Sequence, residues 1–182
     1  ADNKGGNGPH STPTVSGGKV YLFTQDLVLL CLDAQTGKTL WTKDLTKEHA
    51  GRNIKWRSAA SPVIDGNLIF LAGGGPGQSL LGIDKATGKT VWKAHDEIIT
   101  HSSPVVATIL GVRQVIFFVK SGLLSVVPQD GSKLWQFPFE FKTATAISPV
   151  VGGDIVFCSA GYNIGGAACK ITMSGDKFTA TE

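Results

Sequence analysis

Two histidines occupy equivalent positions in an internal repeat, and imidazole suits both metal and anion binding. His10 and His101 each lie three residues before a proline, whereas Ala59 and Ala146 take that place in the other two units. If two copies of the chain complete a ring of such units, four imidazoles would face its axis and would bind a metal ion or an anion where their nitrogens converge. The alternative, which we favour because no other ligand type shares the spacing, is a hydrogen bond to the backbone of a neighbouring unit. We therefore predict no metal site and keep these histidines as weak candidates.

A basic segment with one aromatic residue is the second candidate. The stretch from Thr46 to Ser58 is the longest connection between units, and long connections often carry function. It would bind an acidic partner or an anionic ligand; alternatively, it is a solvated loop with its tryptophan packed on a sheet. Lys120 adds a positive charge in the third unit, at the turn equivalent to the glycine-rich turns at 72–77 and 161–166 of the second and fourth units. The predicted ligand- or partner-binding residues are Arg57, Trp56, His10, His101 and Lys120.

No recognisable catalytic motif is present. Cys31, Cys158 and Cys169 are an odd number without a Cys-x-x-Cys pair, so we expect buried free thiols. The glycine-rich turns at 72–77 and 161–166 lack the lysine and the following helix of a phosphate-binding loop. We therefore assign no catalytic or cofactor-binding residue and predict widened hairpins at these turns.

The positions above belong to a repeat array. A sequence phrase that begins with aspartate, contains Gly-Lys or Gly-Ser-Lys and ends in tryptophan occurs three times, at 33–41, 84–92 and 130–135. Its tryptophans are 51 and 43 residues apart. A Thr-Pro or Ser-Pro marker occurs four times in phase with it, before short apolar strands and glycine-bearing turns. This period predicts four propeller blades of four strands each. The residues we expect to be structural are Trp41, Trp92, Trp135, Gly37, Gly88 and Gly131.

The aspartate and the glycine of each phrase suit a tight turn between two strands. The aspartate before the turn would accept hydrogen bonds from backbone amides, and the glycine would adopt the left-handed conformation that a bulged hairpin requires. Ten residues before each tryptophan lies a small residue, Cys31, Gly82 or Ser125. We expect each indole to meet this small partner across a sheet or between neighbouring sheets.

Composition excludes several classes of protein. The chain has 182 residues, 42% of them hydrophobic and 17% charged, which is ordinary for a folded protein. The net charge of +3 is small and scattered, so we predict no nucleic-acid partner. No run of 18 apolar residues exists, and we predict no membrane span.

The small residue, Asp, Thr-Gly-Lys and Trp pattern resembles the pyrroloquinoline-quinone-like (PQQ-like) repeat over residues 10–182. That family includes quinoprotein alcohol dehydrogenases and outer-membrane assembly propeller lipoproteins, and the likeness is greatest to uncharacterised bacterial exported members. The resemblance implies an all-β propeller and a periplasmic or otherwise exported protein. We place an N-terminal extension at 1–9 and blades at about 10–45, 58–95, 101–138 and 145–182.

Family rings usually have eight blades, so four blades imply about half a ring. Either the chain is a fragment or a second copy completes the ring by self-association; a closed four-bladed ring ranks third. The resemblance implies that the family's enzymes hold pyrroloquinoline quinone between a tryptophan and a disulfide of adjacent cysteines, beside calcium. No adjacent cysteines occur here. We therefore predict a non-enzymatic binding or assembly scaffold that docks a protein or small ligand at the funnel or loop rim. The alternatives are a quinoprotein-type oxidoreductase fragment with its cofactor ligands elsewhere and, third, a sugar- or peptide-binding propeller.

Overall fold

The computed structural model describes residues 10–182, so the predicted extension at 1–9 lies outside the described residues. Four antiparallel sheets follow one another along the chain, each with its four strands in sequence order. The strands are β1 Thr14–Ser16, β2 Lys19–Phe23, β3 Val28–Asp33 and β4 Thr39–Asp44; β5 Val63–Asp65, β6 Leu68–Ala72, β7 Leu80–Asp84 and β8 Thr90–Ala94; β9 Val105–Ile109, β10 Val112–Val119, β11 Gly122–Val126 and β12 Lys133–Pro138; β13 Val150–Gly152, β14 Ile155–Ala160, β15 Gly165–Ser174 and β16 Lys177–Thr181. The sheets form a partial propeller and do not close into a ring, which confirms the predicted all-β class.

A single short helix interrupts the strands in the described part of the chain. Helix α1, Leu45–Glu48, begins the first connection between blades, and the Asp44 carboxylate caps it by accepting from the amides of Thr46 and Lys47. No helix among residues 10–182 is long and apolar enough to cross a membrane.

The repeated phrase forms the hairpin between the third and fourth strands of the first three blades. Asp33 Oδ1 accepts from the amide of Thr36 at 2.8 Å and from its hydroxyl at 2.7 Å, and Asp84 repeats both distances with Thr87. The phrase glycines have φ of 70° to 75°. The predicted capping and left-handed glycine are therefore confirmed.

The predicted pairing of indoles with small residues is also confirmed. Across β3–β4, β7–β8 and β11–β12, the paired positions are Cys31 with Trp41, Gly82 with Trp92 and Ser125 with Trp135. At Gly82 even a methyl group would clash with the indole nitrogen of Trp92, so this position needs glycine.

Two indoles also contact the hairpin of the following blade. A methyl group on Gly88 would lie 2.8 Å from the Trp41 ring, and one on Gly131 would lie 2.5 Å from the Trp92 ring. Trp92 Nε1 donates to the Pro128 carbonyl oxygen at 2.8 Å. Trp135 differs, because its Nε1 donates within its own blade to Gln114 Oε1 at 2.7 Å.

The hydrophobic core lies between adjacent blades. The middle sheets are therefore buried on both faces and the end sheets on one. Strands β6, β7, β10 and β11 are buried on nearly every residue, because a neighbouring blade covers each of their faces. In β2 and β14, burial alternates instead. The outer faces of the two end sheets are thus open. On the outer face of the fourth sheet, Phe157 and Val150 occupy paired positions, and their side chains are 41% and 59% exposed, respectively.

The Thr-Pro and Ser-Pro markers link the first strands of successive blades. The Thr12 amide donates to Ser61 Oγ at 2.9 Å, and the Ser61 amide donates to Ser103 Oγ at 2.8 Å. Proline has no amide hydrogen, so the residue before it supplies both the donor and the acceptor of these inter-blade bonds.

Candidate functional site

The candidate residues lie on one end of the blades, which we call the loop face. It consists of the connections between blades (45–62, 95–104 and 139–149) and the loops between second and third strands (24–27, 73–79, 120–121 and 161–164). In an antiparallel sheet alternate loops lie at opposite ends. The Gly-Lys hairpins therefore occupy the other end of the molecule.

Three predicted residues from separate segments line one cavity of about 150 Å³ on the loop face. Trp56, His101 and Lys120 come from the first connection, the second connection and the middle loop of the third blade. We call this the cationic cavity, because Lys55 and Lys142 also line it and no carboxylate does. Its apolar wall is formed by Ile54, Ile98, Ile99 and Phe141.

Trp56 and His101 pack against each other in the cationic cavity. Their ring centroids are 6.4 Å apart, and Lys55 Nζ lies 5.2 Å from the Trp56 ring. Trp56 is 47% exposed, so much of the indole remains available. Burial lowers the pKa of His101, and the charge of His10 lowers it further. The imidazole is therefore mainly neutral at neutral pH.

Lys120 supplies a fixed positive charge in the cationic cavity. Its Nζ donates to the Phe141 carbonyl oxygen and lies 4.2 Å from the Phe141 ring centroid. Within residues 10–182, no carboxylate forms an ion pair with Lys120, Lys55 or Lys142. The positive charge is thus not neutralised by those residues, which suits a carboxylate or another anionic group.

A second cavity of about 270 Å³, not predicted from the sequence, adjoins the first. We call it the acidic cavity, because Asp96 and Glu97 line it together with one cation, Arg52. The two cavities share Ile54, Ile98 and Ile99. The sequence signal was the acidic pair directly before two isoleucines in the second connection.

Two other predicted binding residues lie outside both cavities. Arg57 has φ of 63° and forms an ion pair with Asp26. His10 lies near enough to His101 to affect its pKa, and its Nε2 is buried without a hydrogen-bond partner in the described structure. No group of three or more His, Cys, Asp or Glu residues that could hold a metal occurs in the region described.

The glycine-rich turn at 73–77 holds the first connection in place. The Gly75 amide donates to the His49 carbonyl oxygen at 2.8 Å, and a methyl group on Gly75 would lie 2.4 Å from the Ala50 carbonyl oxygen. His49 is fixed in turn by Gln78 at 3.2 Å and Thr90 at 2.8 Å. Glycine is required by this close approach, which anchors the start of the connection that carries Trp56.

The three cysteines do not supply a reactive or cofactor-binding group. All are free and buried, and burial raises the pKa of Cys158 and Cys169 to about 11. Thiols with such values are poor nucleophiles at neutral pH. Residues 10–182 contain no disulfide and no group of three or more His, Cys, Asp or Glu residues that could hold a metal, so they do not fit the disulfide and calcium site that the resemblance implies for the family's enzymes.

The fold and the repeat define an open array of PQQ-like propeller blades. The chain matches, over residues 2–177, the family described as outer membrane protein assembly factor BamB, and it belongs to that family. It is similar to the crystal structure of BamB from Moraxella catarrhalis, with a TM-score of 0.60 and 19% identity. That match covers 81% of this chain and 46% of BamB.

Two further proteins are similar to most of this chain. The chain is 27% identical over 161 residues to quinoprotein alcohol dehydrogenase PedH of Pseudomonas putida KT2440, covering 80% of this chain and 27% of PedH. The computationally designed Ika4 protein matches with a TM-score of 0.54 and 14% identity, covering 90% of this chain and 93% of Ika4. The chain thus spans about a quarter of the curated relative.

Proposed function

We propose that this chain belongs to a non-enzymatic binding or assembly scaffold whose loop face docks a partner protein. The observation that carries the proposal is the convergence of Trp56, His101 and Lys120 on one cavity rich in lysine. Tryptophan is enriched at the centres of protein interfaces, and uncompensated cations speed and orient association. Family membership with an outer membrane assembly factor supports this role and a periplasmic or otherwise exported location.

The repeated tryptophans serve in this proposal as docking elements that fix the angle between blades. Trp41 and Trp92 each contact the hairpin glycine of the following blade. The open faces of the end sheets then receive further blades, either from a second copy of the chain or from the same, longer chain. The exposed apolar residues Phe157 and Val150 support this part of the proposal. A compact monomer in sedimentation at high concentration would exclude the second copy.

Site-specific photocrosslinking tests the scaffold role. A photoreactive phenylalanine analogue would replace Trp56 on the loop face or, as the matched control, exposed Lys89 in a hairpin at the opposite end. We expect a discrete crosslinked protein in the exporting bacterium from position 56 and none from position 89. Equal products from both positions, or none from position 56, would contradict the proposal.

A quinoprotein-type oxidoreductase fragment is the second candidate, favoured by the 27% identity to PedH. In this reading the cofactor ligands lie in other parts of the protein. Reconstitution of the whole protein that carries this chain with pyrroloquinoline quinone and calcium, followed by an absorbance spectrum and a dye-linked alcohol assay, distinguishes the two functions. A stable quinone spectrum from that protein would overturn the scaffold role. A sugar- or peptide-binding propeller ranks third.

A further inference from the structure

The cationic and acidic cavities adjoin each other on the loop face and differ in charge, and we call the pair the groove. Both cavities are lined by Ile54, Ile98 and Ile99, so apolar side chains lie between the two charged parts. The cationic part is lined by Lys55, Lys120 and Lys142, and the acidic part by Asp96 and Glu97 beside Arg52. A ligand that fills the groove therefore meets positive charge, apolar surface and then net negative charge.

We propose that this groove binds an extended peptide segment of a partner protein, with acidic residues at one end, an apolar side chain in the middle and basic residues at the other end. The inference rests on the proposed scaffold function and specifies the partner chemistry. Ile98 is 63% exposed, although it lies where the two cavities meet, and it would receive the apolar side chain. The acidic residues would lie against Lys120 and Lys142, and the basic residues against Asp96 and Glu97.

The charge order favours a peptide over other ligands of the loop face. A nucleic acid or an all-acidic segment would bind the lysines but would be repelled by Asp96 and Glu97. A neutral sugar would leave both sets of charges without a partner. An extended peptide can carry both signs, separated by apolar residues, along one strand of backbone.

Hydrogen bonds hold the groove wall in place before any ligand arrives. The Lys120 amide donates to the Ile98 carbonyl oxygen at 2.9 Å, which joins the second connection to the third blade. The Ser121 hydroxyl donates to Glu97 Oε1 at 2.9 Å, and the Glu97 amide donates to Ser79 Oγ at 2.9 Å. A preformed wall lowers the ordering cost of binding on the protein side.

Fluorescence anisotropy with labelled pentapeptides tests the inference. The probes carry two aspartates, a central leucine and two lysines, in this order or in the reverse order. Control peptides of equal length carry only aspartates or only lysines at both ends. We expect one bipolar probe to bind at least about fivefold more tightly than either control peptide, the effect of one exposed charge pair at the upper end of its range.

Charge reversal identifies the two ends of the groove. Lys120→Glu with Lys142→Glu should weaken binding of the preferred bipolar probe about tenfold or more, and so should Asp96→Lys with Glu97→Lys. All four changes together should invert the preference between the two probe orders. Lys89→Glu, on the opposite end of the blades, is the matched control and should change nothing.

Ile98→Asp tests the apolar centre, and Val91→Asp, at a similarly exposed valine outside the groove, is its control. Only Ile98→Asp should weaken binding. Equal affinity for the all-aspartate peptide, or no inversion in the fourfold variant, would overturn the inference. If no probe binds while position 56 still crosslinks a protein, the inference fails and the scaffold function stands.

Discussion

Truncation of Trp92 is the most direct test of how the blades are held together. This indole is 7% exposed, pairs with Gly82 in its own blade, and donates to the Pro128 carbonyl oxygen of the next blade. Trp92→Ala therefore removes a contact within the second blade and a contact between the second and third blades. Trp56→Ala is the matched control, because that indole is half-exposed on the loop face.

The magnitude follows from the buried area. A buried tryptophan removes roughly 150–250 Å² from water, which corresponds to roughly 4–6 kcal/mol at about 25 cal/mol per Å². An extended reference chain overstates that area, and tryptophan truncations in cores cost about 3–5 kcal/mol. We expect Trp92→Ala to lower the free energy of unfolding by about 4 kcal/mol and Trp56→Ala by less than about 1 kcal/mol.

Urea unfolding followed by circular dichroism and by tryptophan fluorescence measures both changes. If Trp92→Ala does not fold, Trp92→Phe keeps an aromatic ring while losing the N–H donor, and we expect a loss of about 1–2 kcal/mol. A loss below about 1.5 kcal/mol for Trp92→Ala, or one no larger than for Trp56→Ala, would refute the reasoning.

Three further predictions concern the hairpin glycines and the histidines. Gly131→Ala should destabilise by at least about 1 kcal/mol more than Gly175→Ala in urea unfolding, because both have positive φ but only the first faces an indole, and equal losses would contradict this. The folded-state pKa of His101 is lowered, so its contribution to stability is present above pH about 6.5 and is lost as the pH falls through the folded value. Urea midpoints at pH 7.5 and 5.5 should thus differ less in His101→Gln than in the original chain, and an unchanged difference would count against this assignment. Zinc titration tests the weak metal hypothesis: binding lost in His101→Ala supports it, whereas equal binding or none removes it.

The fold was predictable because each blade needs the same residue types at the same turn and strand positions, so these residues repeat along the sequence. The third-to-fourth hairpin needs an aspartate to cap amides and a glycine with positive φ, so both recur wherever the turn recurs. The strand that follows needs a small partner for its tryptophan, and Cys31, Gly82 and Ser125 meet that need in three ways. These positions gave the blade period, and the four Thr-Pro or Ser-Pro markers gave the number of blades, without coordinates.

The site was only partly predictable, because loop conformation decides which side chains share a cavity. Trp56, His101 and Lys120 follow from topology, since all lie on loops at the same end of their sheets. Arg57 follows Trp56 directly, yet its positive φ accompanies an ion pair with Asp26 instead of a place in the cavity. That conformation leaves no repeating signal in the sequence.

The two ends of the blades differ in how strongly packing fixes their residues. At the hairpin end, each turn must fit an indole or cap its own amides, so its residues are fixed by packing. On the loop face, connections of different length carry Trp56, Asp96 and Glu97, and no repeated contact dictates these residues. Charge and apolar surface can vary there without cost to the sheets. If the proposed scaffold function holds, recognition lies where the repeat breaks, and substitutions that redirect partner choice should leave the unfolding midpoint nearly unchanged.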